Sequence, residues 1–110
     1  MTVEVLTAPK VETVPAIELV VASDEELEKP YRVIIQNDDV TPMEFVVLVL
    51  QGIFELSMER AVQVMLEAHY NGRALVVTLP YRDASERVYT AQSLARDAGY
   101  PLSFYLEPDE

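Results

Sequence analysis

Residues 31–46 read YRVIIQNDDVTPMEFV, and they contain a predicted strand, a polar turn and the start of a helix. Residues 31–36 are β-branched and aromatic, which predicts a β-strand. Asn37, Asp38 and Asp39 follow and predict a turn, because short polar side chains bond to nearby backbone amides. A strand and a helix joined by a polar turn are therefore expected at the start of the folded domain.

The helix after this turn has a clear predicted beginning. Thr41 is placed to cap it, Pro42 suits the first helical position, and Glu44 would complete a capping box. The helix is expected to run to about Glu55. Because it is apolar nearly all round, it should be largely buried.

Two more helices and two more strands are predicted in the rest of the chain. Ser57 is the predicted cap of the next helix and Gly72 its end, while Leu94 is expected to face inward from the last helix. The predicted ranges are a helix over 58–71, a strand over 74–79, a helix over 84–97 and a strand over 102–106. The order β-α-α-β-α-β predicts an α+β fold, a two-layer sandwich with a three-stranded antiparallel sheet packed on three helices.

The first part of the chain differs in composition from the remainder. Residues 1–29 carry seven acidic residues, two lysines and two prolines, without glycine or aromatic residues. Their apolar residues follow no sustained period, which predicts a flexible acidic N-terminal extension. The core domain is then expected over 30–107, followed by an acidic C-terminal end, 108–110. The extension is either a passive linker or a segment that another protein grips.

Charge and composition exclude several classes of partner and compartment. The net charge of −11 argues against nucleic-acid binding, because an acidic surface repels phosphates. The chain has no cysteine, which excludes disulfides and fits a reducing compartment. No apolar run approaches the ~18–20 residues that span a bilayer, and the N-terminus lacks a secretory pattern. We therefore expect a cytoplasmic protein without a membrane partner.

The usual sequence patterns of enzymes are missing from this chain. Three glycines cannot form a glycine-rich phosphate loop, and no serine lies in a nucleophile-elbow context. The single histidine could take part in acid–base chemistry together with carboxylates, but nothing adjacent supplies a nucleophile or an oxyanion site. The sequence thus predicts a binding module, not an enzyme, with no cofactor and no metal.

A binding site is predicted from four polar residues: Asn37, Asp38, Asp39 and His69. Carboxylates, an amide carbonyl and an imidazole are acceptors suited to an ammonium group. The alternatives are a turn that only satisfies its own backbone, a structural histidine, or a metal site from the two aspartates and the histidine. The apolar residues expected beside them are Met43, Val46, Met65 and Ala68. The methionines either belong to the core or line an adaptable pocket, and the second reading predicts a receptor for the first residue of a chain.

Three segments of the chain resemble the ClpS adaptors of the bacterial N-degron pathway. The first is residues 31–46, quoted above; the second is residues 65–73, MLEAHYNGR; the third and weaker one is residues 100–102, YPL. The resemblance covers about residues 30–107. It implies an adaptor that binds proteins with a bulky hydrophobic first residue (Leu, Phe, Tyr or Trp) and delivers them to a Clp AAA+ unfoldase, ClpA or ClpC.

The resemblance also implies roles for the site residues. Asn37, Asp39 and His69 are expected to hold the α-amino group, with Asp38 acting through water or on the adjacent backbone. Met43 is expected to act as a gate against β-branched first residues. The full set implied for the side-chain pocket is Thr41, Met43, Val46, Met65, Ala68 and Leu102.

Docking on the unfoldase is implied for the N-terminal extension and for a surface that includes Arg82 and Arg87. Arg87 matches the family's basic position, but Arg82 stands where the family has an acidic residue. Ala68 stands where valine is common, which predicts a slightly deeper pocket. The free adaptor is expected to be a monomer.

Two other classes of function stay open at this point. The β-α-α-β-α-β order is also similar to the C-terminal domain of the ribosomal stalk protein, which would make the chain a ribosome-associated module. A small or metal-dependent hydrolase using Asp38, Asp39 and His69 is the third hypothesis.

Overall fold

A computed structural model describes residues 23–110 of the chain. Four helices and three strands are present in this part. They are α1 (Asp24–Leu27), β1 (Pro30–Gln36), α2 (Met43–Gly52), α3 (Met58–Asn71), β2 (Arg73–Pro80), α4 (Tyr81–Asp97) and β3 (Ser103–Pro108). From β1 onward the order is β-α-α-β-α-β, and the strands form one antiparallel sheet. The predicted fold class is therefore confirmed.

The first strand lies in the middle of the sheet. The strand order is β2-β1-β3, and β1 pairs antiparallel with both neighbours. The β1–β2 register shifts between Val33 and Ile34, where Val76 is the extra residue on β2. A residue inserted in this way locally increases the twist of an antiparallel pair. The central position of β1 places the turn that follows it between the ends of both neighbouring strands.

The core lies between one face of the sheet and the three long helices. Val33 and Ile35 point into it from β1, and Val49 and Leu50 from α2, each at most 2% exposed. Alternation along a strand sends Ile34 to the opposite face, where it lies outside the main core cluster. The sheet thus has one apolar face packed on helices, as a two-layer sandwich requires.

The helix after the polar turn differs from its prediction in three ways. Its N-cap is Pro42, and the Thr41 hydroxyl donates to Asp38 instead of capping the helix. The helix ends at Gly52, three residues early, and it cannot reach Glu55, whose backbone is left-handed (φ 61°). It is also only partly buried: the side chain of Leu48 is 66% exposed. An apolar sequence all round a helix cannot reveal which side has no neighbour.

The other two long helices lie where the sequence predicts them, except that α4 begins at Tyr81, three residues earlier than predicted. Ser57 caps α3, and Gly72 ends it in the left-handed region (φ 93°), as predicted. Val64 on α3 is fully buried, whereas Leu94 on α4 is 48% exposed and its predicted inward orientation is wrong. The small residues Ala84, Ala91 and Ala95 fill the inner face of α4 instead.

Both ends of the described chain are more ordered than the sequence suggests. Residues Asp24–Leu27 form one helical turn capped by the Ser23 hydroxyl, within the predicted flexible extension. The rest of that prediction, for residues 1–22, lies outside the described residues. At the other end β3 continues to Pro108, and the Asp109 N–H donates to the Pro30 carbonyl at 3.1 Å. The acidic end thus remains attached to β1.

Within 23–110, no helix is long and apolar enough to cross a bilayer.

Candidate functional site

The end of β1 and the end of α3 are held together by backbone hydrogen bonds. The Asn37 N–H donates to the Gly72 carbonyl at 3.0 Å, and the Gly72 N–H donates to the Ala68 carbonyl at 2.8 Å. A left-handed residue after a helix satisfies the last carbonyls in this way, and glycine adopts that conformation without strain. The polar turn after β1 is therefore fixed beside the last turn of α3, which carries His69.

The third strand brings a further residue to the same place. Gln36, the last residue of β1, pairs with Ser103 of β3, so Leu102 lies next to the turn. The Ser103 hydroxyl donates to the Gln36 side-chain carbonyl at 3.2 Å. Leu102 is 5% exposed and completes the apolar part of the site.

All ten residues predicted for the amine site and the side-chain pocket line one cavity of about 150 Å³. Asn37, Asp39 and His69 are exposed at its mouth, and Asp38 is half-buried. The apolar wall is formed by Val46, Ala68 and Leu102, which are each buried to 9% exposure or less, together with Met43 and Met65. The structure thus brings together the residues that the family resemblance implied for the site.

Two lining residues were missed by the sequence prediction. Ile35 and Gln36 also face the cavity, from the end of β1. Ile35 is 2% exposed and resembles an ordinary core residue of a strand. The signal that could have identified it is its position: it is the last inward-facing residue of β1 before the polar turn.

Asp38 is bound by its own loop. One oxygen, Oδ1, accepts the Val40 N–H at 2.8 Å and the Thr41 N–H at 2.7 Å, and the other, Oδ2, accepts the Thr41 hydroxyl at 2.9 Å. A carboxylate has about four lone-pair sites, so about one acceptor position remains on Oδ2. The main structural effect of Asp38 is to shape the loop that presents Asn37 and Asp39.

The mouth of the cavity is acidic and its interior is apolar. Among the lining residues from the described chain there are two carboxylates and neither lysine nor arginine. Such a mouth favours a cation that donates hydrogen bonds, and the volume lies below the ~300–1,000 Å³ of typical small-molecule sites. The arrangement suits an ammonium group attached to one apolar side chain.

The described residues do not assemble a metal centre here. Within 23–110, no three histidine or carboxylate side chains are grouped so that they could hold a metal ion. His69 instead contacts the Tyr70 ring edge-on, with ring centroids 5.0 Å apart.

Arg82 and Arg87 lie on α4, and neither lines the cavity. Arg82 is exposed and faces α1, with its guanidinium 3.9 Å from Asp24 and 3.8 Å from Glu28. Arg87 is half-buried and donates to the Ile53 carbonyl at 2.7 Å. Arg82 is therefore available at the surface, while Arg87 ties α4 to the end of α2.

Comparisons with known proteins agree with the resemblance noted above. A sequence model of the family "ATP-dependent Clp protease adaptor protein ClpS" matches residues 26–105. The adapter protein ClpS 2 of Rhizobium meliloti is 42% identical over 87 residues, covering 77% of this chain and 86% of that protein. The ClpS adapter of Erwinia tasmaniensis is 46% identical over 85 residues, covering 76% of this chain and 80% of that protein.

A solved structure is similar as well. Agrobacterium tumefaciens ClpS2, determined in complex with L-phenylalaninamide, aligns with a TM-score of 0.71 and 40% identity. The alignment covers 74% of this chain and 99% of that one. The members of the matched family are adaptors, not catalysts. The chain belongs to the ClpS family of adaptor proteins of the ATP-dependent Clp protease.

Proposed function

We propose that this adaptor recognises proteins by a bulky hydrophobic first residue: Leu, Phe, Tyr or Trp. In this proposal Asn37, Asp39 and His69 accept hydrogen bonds from the α-ammonium group. The first side chain enters the cavity between Met43, Met65 and Leu102. The observation that carries the proposal is the single cavity in which an acceptor-rich mouth adjoins an apolar interior.

Two further points support the proposed ligand. The relative that is 40% identical binds L-phenylalaninamide, a compound that combines a free α-amine with a bulky aromatic side chain. The second is the carboxylate pair at the mouth, which offsets the charge of an ammonium group in a partly desolvated position. Asp38 contributes mainly by holding the loop, with its remaining Oδ2 lone pair directed to the ligand or to a bridging water.

The downstream step in the proposal is delivery to a Clp AAA+ unfoldase, ClpA or ClpC, in the cytoplasm, with a monomeric adaptor. Arg82 is the better candidate for a contact with the unfoldase, because its guanidinium is exposed at the surface of α4. The Arg87 guanidinium already donates to the Ile53 carbonyl, so Arg87 is proposed to affect docking only indirectly. The N-terminal extension is the segment proposed to engage the unfoldase during delivery.

A peptide titration tests the recognition step. A fluorescent peptide that begins with a free Phe should bind at micromolar strength or better, about 8 kcal/mol. The same peptide with an acetylated N-terminus should lose most of this affinity, because the acceptors at the mouth, once the peptide covers them, then lack a charged donor. Equal affinity for the two peptides would contradict the proposal.

Two variants make the test specific. His69→Ala and Asp39→Ala should each weaken binding of the free peptide without unfolding the domain, because both side chains are exposed. Glu67→Ala is a matched control: Glu67 lies on the same last turns of α3 and does not line the cavity. The control should bind as tightly as the wild-type protein.

A further inference from the structure

A second concave surface lies beside the cavity, between the outward faces of α2 and α3. This α2–α3 groove has a volume of about 560 Å³. Its lining is Met43, Glu44, Val47, Leu48 and Gln51 from α2, and Met58, Val62 and Met65 from α3. Leu48 is 66% exposed and Met58 56% exposed, which is unusual for large apolar side chains that lie next to each other. A contiguous exposed apolar patch of this kind marks an interaction site.

The groove is continuous with the cavity. Met43 and Met65 line both, one from each helix. On α3, Met58, Val62, Met65 and His69 are spaced by four, three and four residues, so they lie along one face of the helix. That row begins at the far end of the groove and ends at the histidine of the proposed amine site.

The geometry points to one occupant: we propose that the groove holds residues 2–4 of the polypeptide whose first residue occupies the cavity. This inference rests on the proposed function. From Met58 to Met65 the helix rises about 10 Å, at 1.5 Å per residue. An extended chain advances about 3.3 Å per residue, so the groove has the length of about three residues.

The chemistry of the groove selects apolar side chains at these positions. Six of its eight lining residues are apolar, and three of those six are methionines. Methionine side chains are flexible and polarisable, so they adapt to side chains of different shapes. The groove therefore adds affinity for apolar residues after the first one, without demanding a single sequence.

A comparison of three ligands tests this inference on the full chain. The ligands are L-phenylalaninamide, the peptide Phe-Leu-Val-Leu-Ser-Lys and the peptide Phe-Ser-Gly-Ser-Ser-Lys, each titrated by calorimetry. We expect the apolar peptide to bind about tenfold tighter than the polar one, because its second to fourth side chains leave water on binding.

Leu48→Asp should remove most of that tenfold gain while L-phenylalaninamide binds as it does to the wild-type protein. The matched control is Leu94→Asp, which places the same charge on an exposed leucine of α4 that lies outside the groove. The control should keep the gain.

Each result separates the two proposals. If L-phenylalaninamide binds and the two peptides have equal affinity, the groove inference is overturned and the amine site stands. If L-phenylalaninamide fails to bind, the proposed function itself fails. A further outcome is a dimer, detected by light scattering, that the Leu48→Asp substitution dissociates. That result would mean that a second copy of the chain occupies the groove, and it would also overturn the inference.

Discussion

The hydroxyl of Thr41 donates a 2.9 Å hydrogen bond to Oδ2 of Asp38, while Oδ1 of the same carboxylate accepts the Thr41 N–H at 2.7 Å. Side chain and backbone of one residue are thus fixed by one carboxylate three positions earlier. The pair closes the loop between β1 and α2, and Asn37 and Asp39 flank Asp38 within it. The loop is therefore shaped before any ligand arrives, which lowers the entropy cost of binding.

Removal of the Thr41 hydroxyl tests this preorganisation. Thr41→Val keeps the shape of the side chain but leaves Oδ2 without its donor, so binding of a peptide with a free N-terminal Phe should weaken several-fold. The affinity ratio between the free and the acetylated peptide should also fall, because the misplaced loop holds the amine poorly. Thr41→Ser keeps the hydroxyl and should restore the ratio. An unchanged ratio in Thr41→Val would show that the loop holds its shape without this bond.

Gly72 and Gly52 should respond in opposite directions to the same substitution. Gly72 has φ +93°, where an L side chain is strained, so Gly72→Ala should lower the free energy of unfolding by about 1–2 kcal/mol. Gly52 ends α2 without a positive φ, and within residues 23–110 an added Cβ there meets no atom closer than 4 Å. Gly52→Ala should therefore raise the free energy of unfolding by up to about 1 kcal/mol. Urea denaturation of both variants measures this, and the same sign for both would contradict the assignment.

Two neighbouring leucines on α2 differ sharply in burial. Leu50 is fully buried, so Leu50→Ala should lower the free energy of unfolding by about 2–5 kcal/mol through lost burial and the cavity left behind. Leu48 is 66% exposed, and Leu48→Ala should change the free energy of unfolding by no more than about 0.5 kcal/mol. Chemical denaturation of the two variants gives the comparison. A large loss in Leu48→Ala would mean that its side chain is covered in solution.

Substitutions of Arg87 and Arg82 should differ in their effect on the free energy of unfolding. Arg87→Met removes a 2.7 Å bond to the Ile53 carbonyl and should cost about 1–3 kcal/mol in the free energy of unfolding. Arg82 makes only long, exposed ion pairs, which contribute little, so Arg82→Met should be close to neutral. Thermal denaturation measures both effects.

The stability-neutral Arg82→Met variant can then be used to probe the unfoldase. If Arg82 contacts the unfoldase, the variant should bind N-terminal Phe peptides normally and deliver a Phe-initiated substrate more slowly. Delivery at the wild-type rate would remove Arg82 from the docking surface.

The order of elements could be predicted from the sequence because it depends on short-range signals. The β-branched run before Asn37, the serine before α3 and Gly72 after it each act on a few adjacent residues, so their effect is local. The grouping of Asn37 with His69 is not a local effect, and its prediction rests on the resemblance of two separate segments to the ClpS family. The start of α2 was misplaced because Thr41 has a competing partner in Asp38, and the capping pattern could not show which hydrogen bond forms.

What the sequence by itself determined is thus the strand–turn–helix unit and the other core elements, while the residues of the site stay a prediction that rests on the family resemblance. Only the tertiary structure decided which apolar residues stay in water. Three large apolar residues are exposed although their residue types are typical of a core: Leu48, Met58 and Leu94. Their exposure depends on which side of each helix packs against the sheet. The structure alone also decided that Ile35 lies beneath the cavity and that Asp38 serves its own loop. Burial depends on packing between segments distant in the chain, and the partners of Asp38 depend on the backbone conformation of the folded loop, so no local sequence pattern carries either kind of information.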